Sequence, residues 1–403
     1  MSTPSITPRP SAAPARALPD STQVAPATLA AELKATLASQ LTPTATPDRH
    51  GFAFYSGVEG VSAFPLDNRL DKRSLWVAYS QGMRSFDPPQ NHFVAIYTRT
   101  GLLWRELGRL ELSNSDYYSE WAVEQVQIDD SRVWLQVQGG AGAHGGCFDL
   151  LNFDGQALHN VLTNCTSTPL AGELRDLNQD GKLEALLNTS ENYVFCYACG
   201  VRVWSYQVWR WDGEQMVEVQ LTRLPRPAPE EISGINDRAV ELAQAELWKD
   251  AQQSIRRAVE IDPDNQTVIW NAALINLHAE ARAKGVSSNS PYPLLSRIFY
   301  GDYAGALNIL RPYSPQVLFD PQTPLVKGTV AEGWEGALRD WIAIFANQAL
   351  QAEPDLAAAY FLRGWSAYLV DPRNSQAKAD ILRAAELAPD EPLFSKSEAY
   401  LTK

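Results

Sequence analysis

A helical repeat in the second half of the chain constrains the fold more than any other feature of the sequence. Between about Ile235 and Pro392, small residues and a proline recur in the same phase. Small residues let two antiparallel helices approach closely, and a proline ends a helix because it has no amide N–H. We therefore predict an α-helical repeat domain over residues 234–403. Its landmarks are Ala251, Ala258, Pro263, Ala349, Pro354, Ala377, Ala384 and Pro389.

This pattern resembles the tetratricopeptide repeat, a unit of about 34 residues built from two helices. Tyr360 and Gly364 occupy the aromatic and small positions of one unit, and Gly301 lies at an inter-helix turn before Ala306. The resemblance implies an inner face that binds a peptide or a protein partner. The same residues could instead pack against the β domain or between irregular units. In the register of the family, the inner face would carry Trp270, Leu274, Phe361, Trp365 and Tyr368.

Residues 49–222 alternate apolar and polar side chains and are rich in Val, Trp, Tyr and Leu, which is typical of β-strands. Hairpin turns are predicted at Gly101, Gly155 and Gly213, every 54 to 58 residues. The period has the length of a propeller blade, but three periods are fewer than a closed propeller usually contains. We therefore predict an antiparallel all-β domain that is propeller-like or sandwich-like.

One segment of this domain has the donor pattern of a calcium loop. Oxygen donors occur at positions 1, 3, 5, 7 and 9, and Gly181 provides a sharp bend. Position 12 is Leu187, so the segment is not an EF-hand loop. It resembles the calcium loop of the FG-GAP repeats in integrin-type propellers. The alternative is a turn without metal, whose side chains bind their own backbone. The candidate Ca²⁺ ligands are Asp176, Asn178, Asp180, the carbonyl of Lys182, and Glu184, where the family usually has Asp.

The four cysteines all lie in the β domain, at Cys147, Cys165, Cys196 and Cys199. Outside the cytoplasm, two disulfides are the simplest arrangement, and three connectivities are open. We favour Cys147–Cys165 with Cys196–Cys199. A zinc site built from four thiolates is a less favoured alternative. A redox role for Cys196 and Cys199 would require a helix that the flanking strands do not predict.

Two competing functions also involve residues of the β domain. The segment Gly139–Cys147 matches the letters of a dinucleotide-binding loop, but strands flank it, so we expect a connection between sheet units. A hydrolase would use His144 as a base beside Cys147 as nucleophile. A carbohydrate-binding module would use Trp209 and Trp211.

Residues 1–48 are predicted to be a disordered Ser/Thr/Pro tether, with a short helix near residues 28–41. Tethers of this kind commonly follow a cleaved signal or a lipidated cysteine in bacterial surface proteins. We therefore expect an extracytoplasmic protein, in the periplasm or at the cell surface. Residues 223–233 are rich in proline and are predicted to form a short, stiff linker between the two domains.

Composition narrows the choice of partner. The chain of 403 residues has a net charge of −13, and phosphate binding would need a local excess of Lys and Arg. We therefore expect no nucleic-acid partner. No apolar run reaches the length of about 18 residues needed to span a bilayer. The sequence as a whole predicts a non-catalytic interaction or scaffold protein, with a hydrolase or a carbohydrate-binding protein as the alternatives.

Overall fold

A computed structural model gives the architecture of the chain. It describes residues 25–38, 60–81, 93–112, 118–141, 144–168, 170–191, 193–225, 229–287 and 289–402. Of the tether predicted for residues 1–48, residues 1–24 and 39–48 lie outside the described residues. Among the helices that are described, none is long and apolar enough to cross a membrane.

The described β region forms three sheets, each an antiparallel meander of four strands in chain order. Sheet 1 contains β1 (Gly60–Leu66), β2 (Leu75–Gln81), β3 (Phe93–Thr100) and β4 (Leu103–Glu111). Sheet 2 contains β5 (Tyr118–Val126), β6 (Val133–Ala141), β7 (Gly145–Phe153) and β8 (Leu158–Thr166). Sheet 3 contains β9 (Gly172–Arg175), β10 (Glu184–Asn188), β11 (Tyr206–Trp211) and β12 (Met216–Glu218).

The predicted hairpins are confirmed as the last hairpin of each sheet. Gly101, Gly155 and Gly213 have φ values of 62°, 96° and 112°, a region in which glycine meets no steric penalty. The spacing of these turns along the sequence is therefore the spacing between successive sheets. The prediction that the Gly139–Cys147 segment connects two sheet units is wrong. The segment joins β6 to β7 within sheet 2.

Sheets 1 and 2 pack face to face. Successive side chains of a strand point to opposite faces, so only alternate residues enter this interface. The other residues of the same strands face outward from the pair. The shared core includes Leu75, Val77, Val94 and Ile96 from sheet 1 and Val133, Leu135, Val137, Leu151 and Phe153 from sheet 2.

Sheet 3 packs on the opposite face of sheet 2, so the three sheets form a row. The interface contains Trp134, Phe148 and Leu150 of sheet 2 with Ala185 and Leu187 of sheet 3. Gly172 in β9 is tightly enclosed there, because a Cβ atom at this position would lie 2.6 Å from the ring of Phe148. The described part of the domain predicted to be propeller-like or sandwich-like thus consists of three packed antiparallel meanders.

Helices cover the two outer faces of this row. Helix α1 (Pro26–Ala38) buries Leu33 and Leu37 against Trp76, Ala95 and Tyr97 on the outer face of sheet 1. The docked helix predicted near residues 28–41 therefore lies at 26–38, and Leu41 lies outside the described residues. Leu186 and Val208 on the outer face of sheet 3 pack against Leu274 and Leu277 of the helical region.

The C-terminal region consists of helices, which pack mainly against their neighbours in sequence. The first three are α2 (Glu230–Gln244), α3 (Trp248–Ile261) and α4 (Gln266–Gly285). Shorter helices follow, α5 (Pro293–Phe299), α6 (Tyr303–Leu310) and α7 (Pro315–Leu318). The last four are α8 (Glu335–Ala352), α9 (Ala357–Val370), α10 (Ser375–Leu387) and α11 (Pro392–Leu401).

Small residues lie where these helices approach most closely, as the repeat predicts. Ala251, Ala258, Ala377 and Ala384 are all buried. A Cβ atom on Gly364 of α9 would lie 2.7 Å from the carbonyl oxygen of Ala377 in α10. The landmark residues therefore have the packing role expected of them.

The predicted linker is anchored to the helical region at Leu224, while Arg223, Pro225 and Pro229 are exposed. Leu224 is buried, and its amide donates to Asp237 of α2 at 3.0 Å. The amide of Thr222 donates to Asn271 of α4 at 2.9 Å. Helix α2 then begins after Pro229. The connection is thus held to the helical region at Thr222 and Leu224.

Candidate functional sites around sheet 3

Both favoured disulfides are present. Cys147 and Cys165 are directly opposite each other on β7 and β8, and Cys196 is bonded to Cys199 across a short 3₁₀ turn. A zinc site built from four thiolates would need free thiols, and these four sulfur atoms are all bonded in disulfides. His144 stacks on Tyr197 at a centroid distance of 4.8 Å. Cys147 is therefore not available as a nucleophile beside His144.

The candidate calcium loop is the turn between β9 and β10. The carboxylate of Asp176 accepts hydrogen bonds from the amides of Asp180 and Gly181, at 3.1 and 3.0 Å. Asn178 accepts from the amide of Asp180, and Asp180 accepts from the amide of Lys182. These are the side-chain-to-backbone bonds of Asx turns. They hold the turn in shape without an ion.

Glu184 closes this turn from the first position of β10. Its carboxylate is buried and accepts a hydrogen bond from the amide of Leu177 at 2.8 Å. Burial, with the nearby charges of Asp180 and Asp176, raises the pKa of Glu184 to about 7. A bound cation would favour the charged form of this carboxylate.

The turn borders a cavity of about 200 Å³ at one end of sheet 3. Asp129, Asp212 and Arg210 also line it, together with Trp270 from α4. Within the described ranges, no three His, Cys, Asp or Glu side chains are grouped closely enough to hold a metal ion by themselves. The oxygen donors suit Ca²⁺ by type, whereas their present orientation is toward backbone amides.

Calcium binding at this turn is testable by thermal unfolding. If the oxygen donors reorient around Ca²⁺, the ion is expected to stabilise the fold by about 2.7 kcal/mol at 100 times its Kd. Asp180→Ala is expected to abolish the calcium-dependent rise in Tm. Asp154→Ala, in the β7–β8 hairpin, is the control and should keep the rise, because Asp154 accepts the same kind of backbone hydrogen bonds outside this cavity. An equal rise in the Asp180→Ala variant would show that calcium binds elsewhere.

The aromatic residues predicted to line a partner-binding face of the last repeat unit lie largely in the core. Phe361 and Trp365 are fully buried, and the indole N–H of Trp365 donates to the carbonyl of Leu318 at 2.9 Å. Tyr368 packs edge-on against Phe319 at 5.1 Å. Helices α6 and α7 contribute to this packing, since α6 contacts α9 and Leu318 is the last residue of α7. Phe361 and Trp365 therefore cannot contact a partner in this conformation.

The two residues predicted for the other unit face the β region. Leu274 is buried against Leu186 and Val208 of sheet 3. Trp270 lines the 200 Å³ cavity, with the guanidinium of Arg210 above its ring at 5.7 Å. Packing against the β domain, the alternative open from the sequence, is the arrangement in the structure.

Arg282 of α4 is the centre of the junction between the two regions, and the sequence analysis did not single it out. Only 3% of its side chain is exposed. It donates to the carbonyls of Trp204 and Phe299 and pairs with Glu246 at 2.9 Å. The sequence does contain a signal for the burial of Arg282, because this residue continues the helical spacing of the buried stripe of α4. That stripe contains Val268, Ala272, Ile275 and Ala279.

His278 lies one turn before Arg282 at the same junction. Its ring stacks on Trp248 at 4.6 Å, and its buried Nδ1 has no hydrogen-bond partner among the described residues. Burial, together with the positive charge of Arg282, lowers the pKa of His278 to about 4. The neutral imidazole is therefore the form that the folded protein accommodates.

This depressed pKa predicts a loss of stability in acid. The unfolded chain takes up a proton near pH 6.5, whereas the folded chain does so near pH 4, so stability falls as the pH falls through this window. The expected loss between pH 7 and pH 5 is about 2 kcal/mol. Urea unfolding of the His278→Phe variant should lack this loss of stability between pH 7 and pH 5. His159→Phe changes a histidine that is half exposed on β8 and should leave it intact. Identical pH profiles for the wild type and His278→Phe would contradict the assignment.

Trp209 and Trp211, the residues predicted to serve a carbohydrate-binding module, pack between sheets 2 and 3. Trp209 and Trp211 are partly buried against that core, and Trp211 meets Trp134 edge-on at 4.9 Å. Their indole N–H groups are buried and have no partner among the described residues. The two rings therefore serve mainly as core, which was the other interpretation of their alternation.

Apolar side chains are exposed on α8 and on an adjacent loop of the β region. Trp334 at the N-cap of α8 and Ile344 within the helix are 43% and 47% exposed, and Trp341 is half-buried against the helical core. The indole N–H of Trp341 donates to the carbonyl of Val194 at 3.2 Å. Its neighbour Tyr193 is 57% exposed. We call Tyr193, Trp334, Trp341 and Ile344 the α8 patch.

No protein-family model matches this chain, and no curated protein matches it significantly. Functional proposals therefore depend on the geometry of the described residues.

Proposed function

We propose that this protein is a non-catalytic scaffold that acts outside the cytoplasm and binds a protein partner. The observation that carries the proposal is the α8 patch, to which both the β region and the helical region contribute. Contiguous exposed apolar surface is typical of interaction sites. Tyr and Trp are also the residue types enriched at the centres of protein interfaces.

The hydrogen bond from Trp341 to the carbonyl of Val194 supports this function because it joins the two halves of the patch. Tyr193 comes from the loop before the Cys196–Cys199 disulfide, whereas Ile344 belongs to α8. A surface that is already ordered loses less conformational entropy when it binds. The helical repeat thus contributes one of its outer surfaces, and not the buried aromatic residues, to the proposed interface.

The two disulfides support the extracytoplasmic part of the proposal. Structural disulfides persist in oxidising compartments and are rare in the cytosol. A calcium ion at the Asp176–Glu184 turn would be a structural addition to the same platform.

Site-specific photocrosslinking in the native organism tests the proposal. A photoreactive amino acid at Ile344 is expected to give a discrete crosslinked protein, and the additional change Tyr193→Glu should reduce its yield at least tenfold. The matched control is the same amino acid at Lys378, an exposed position on α10. Equal yields from the two positions, or no product from Ile344, would contradict a partner at the α8 patch.

A further inference from the structure

A separate cavity of about 250 Å³ opens on the outer face of sheet 3, beside the junction with α4. Leu186 forms a buried part of its wall, and Leu170 is a largely exposed residue at its edge. Trp204 and Tyr206 supply two aromatic rings. The backbone of Trp204 is held by Arg282, so this wall is anchored to the helical region.

Arg202 is the distinctive charged group of this cavity. Its guanidinium lies over the ring of Trp204 at 5.4 Å and has no ion pair or side-chain hydrogen bond with another described residue. Stacking uses the face of a guanidinium and leaves the N–H donors in its plane. Those donors match the geometry of a carboxylate, which binds them in pairs.

The carboxylate of Glu173 belongs to the same cavity and would oppose an anion. It lies 3.7 Å from the guanidinium of Arg175, which offsets part of its charge. Both side chains are about half exposed, so water screens the remaining repulsion. Glu173 can also accept a hydrogen bond from a hydroxyl group of a ligand.

The geometry points to a binding site for a carboxylate carried on a six-membered ring. The ring would pack against Trp204 and Tyr206, while Arg202 binds the carboxylate. A volume of about 250 Å³ is below the range of cavities that hold drug-sized ligands, so it suits a single ring. Sugar acids and aromatic acids share this chemistry. The site is distinct from the α8 patch and does not depend on the scaffold proposal.

Saturation-transfer NMR and calorimetry on the full chain can test the site with defined probes. Glucuronate represents the sugar acids and benzoate the aromatic acids, and glucose and benzyl alcohol are their neutral counterparts. At least one acid is expected to bind, and its neutral counterpart to bind at least tenfold more weakly. Binding of glucuronate alone would identify sugar acids as the source, and binding of benzoate alone would identify aromatic acids.

Variants separate recognition by Arg202 from general effects. Arg202→Gln is expected to weaken binding of the acid at least tenfold, whereas Glu173→Gln should strengthen it by removing a like charge. The matched control is Arg210→Gln, because Arg210 also stacks on a tryptophan but lies outside this cavity. The inference is overturned if neither acid binds, if the neutral compounds bind equally well, or if Arg210→Gln weakens binding as much as Arg202→Gln.

Discussion

Replacing Arg282 with methionine is expected to lower the free energy of unfolding by about 3–5 kcal/mol, the usual effect of breaking a buried ion pair. The side chain bonds to the carbonyl of Trp204 in the β region and to that of Phe299 at the end of α5. It also pairs with Glu246 in the turn between α2 and α3. Its loss would leave two buried carbonyls without this hydrogen-bond donor. It would also remove the positive charge that pairs with the carboxylate of Glu246.

The surroundings of Glu246 show why the loss of stability should exceed the effect of breaking the Arg282–Glu246 ion pair alone. It has a φ of 60°, an uncommon conformation for a residue other than glycine. Its carboxylate also accepts the indole N–H of Trp248 at 2.7 Å. Gly301 packs against the same turn, where a Cβ atom would lie 2.7 Å from the Cα of Leu247. Several contacts thus hold this backbone in place, and Arg282 is one of them.

Urea unfolding monitored by tryptophan fluorescence measures the effect of Arg282→Met. Adding Glu246→Gln to this variant should restore part of the stability, because a neutral amide is less costly to leave unpaired than a carboxylate. Arg257→Met alters an exposed arginine on α3 and should change the stability by less than about 0.5 kcal/mol. A loss for Arg282→Met as small as that of the Arg257 control would contradict a central role for this side chain.

Removing the Cys147–Cys165 disulfide is expected to cost about 3 kcal/mol. The two residues are 18 positions apart, and the stabilisation grows with the logarithm of the loop that a disulfide closes. Cys147 is also buried in the core shared by sheets 1 and 2. Alanine at both positions avoids burying a hydroxyl group where the sulfur lay.

The second disulfide is an internal control for this prediction. Cys196 and Cys199 are only 3 positions apart, so their replacement with alanine should cost less. Thermal unfolding with and without a reducing agent measures both. The reducing agent should lower the Tm of the Cys196→Ala/Cys199→Ala variant more than that of the Cys147→Ala/Cys165→Ala variant. The reverse order would contradict the assignment of the larger contribution to Cys147–Cys165.

Features that depend on a few neighbouring residues were predictable from the sequence. The hairpins at Gly155 and Gly213 follow from turn residues between alternating strands. The contact of Gly364 with α10 follows from the helical repeat, because the small residue marks where two helices meet. Cys147 and Cys165 were the favoured pair among three open connectivities, and the structure places them opposite each other on β7 and β8. In each case, local chemistry or one regular period carries the information.

The candidate sites were predictable only in part. Asp176, Asp180 and Glu184 lie together at the β9–β10 turn, because they are close in sequence and a tight turn keeps them close. Whether an aromatic side chain is exposed or buried depends instead on helices and strands that are distant in sequence. Trp365 has the spacing of a residue on an open inner face, yet the carbonyl of Leu318 and the helices around it enclose it.

The sequence by itself determined the sheet period, the helical repeat and the chemistry of the β9–β10 turn, because each is encoded by residues near one another in the chain. Only the tertiary structure decided that helices cover both ends of the sheet row, that Arg282 joins the two regions, and that Arg202 faces a cavity without a partner. These outcomes depend on which apolar surfaces meet across long separations in sequence. Periodicity shows that a face is apolar, but it does not show which surface will cover it.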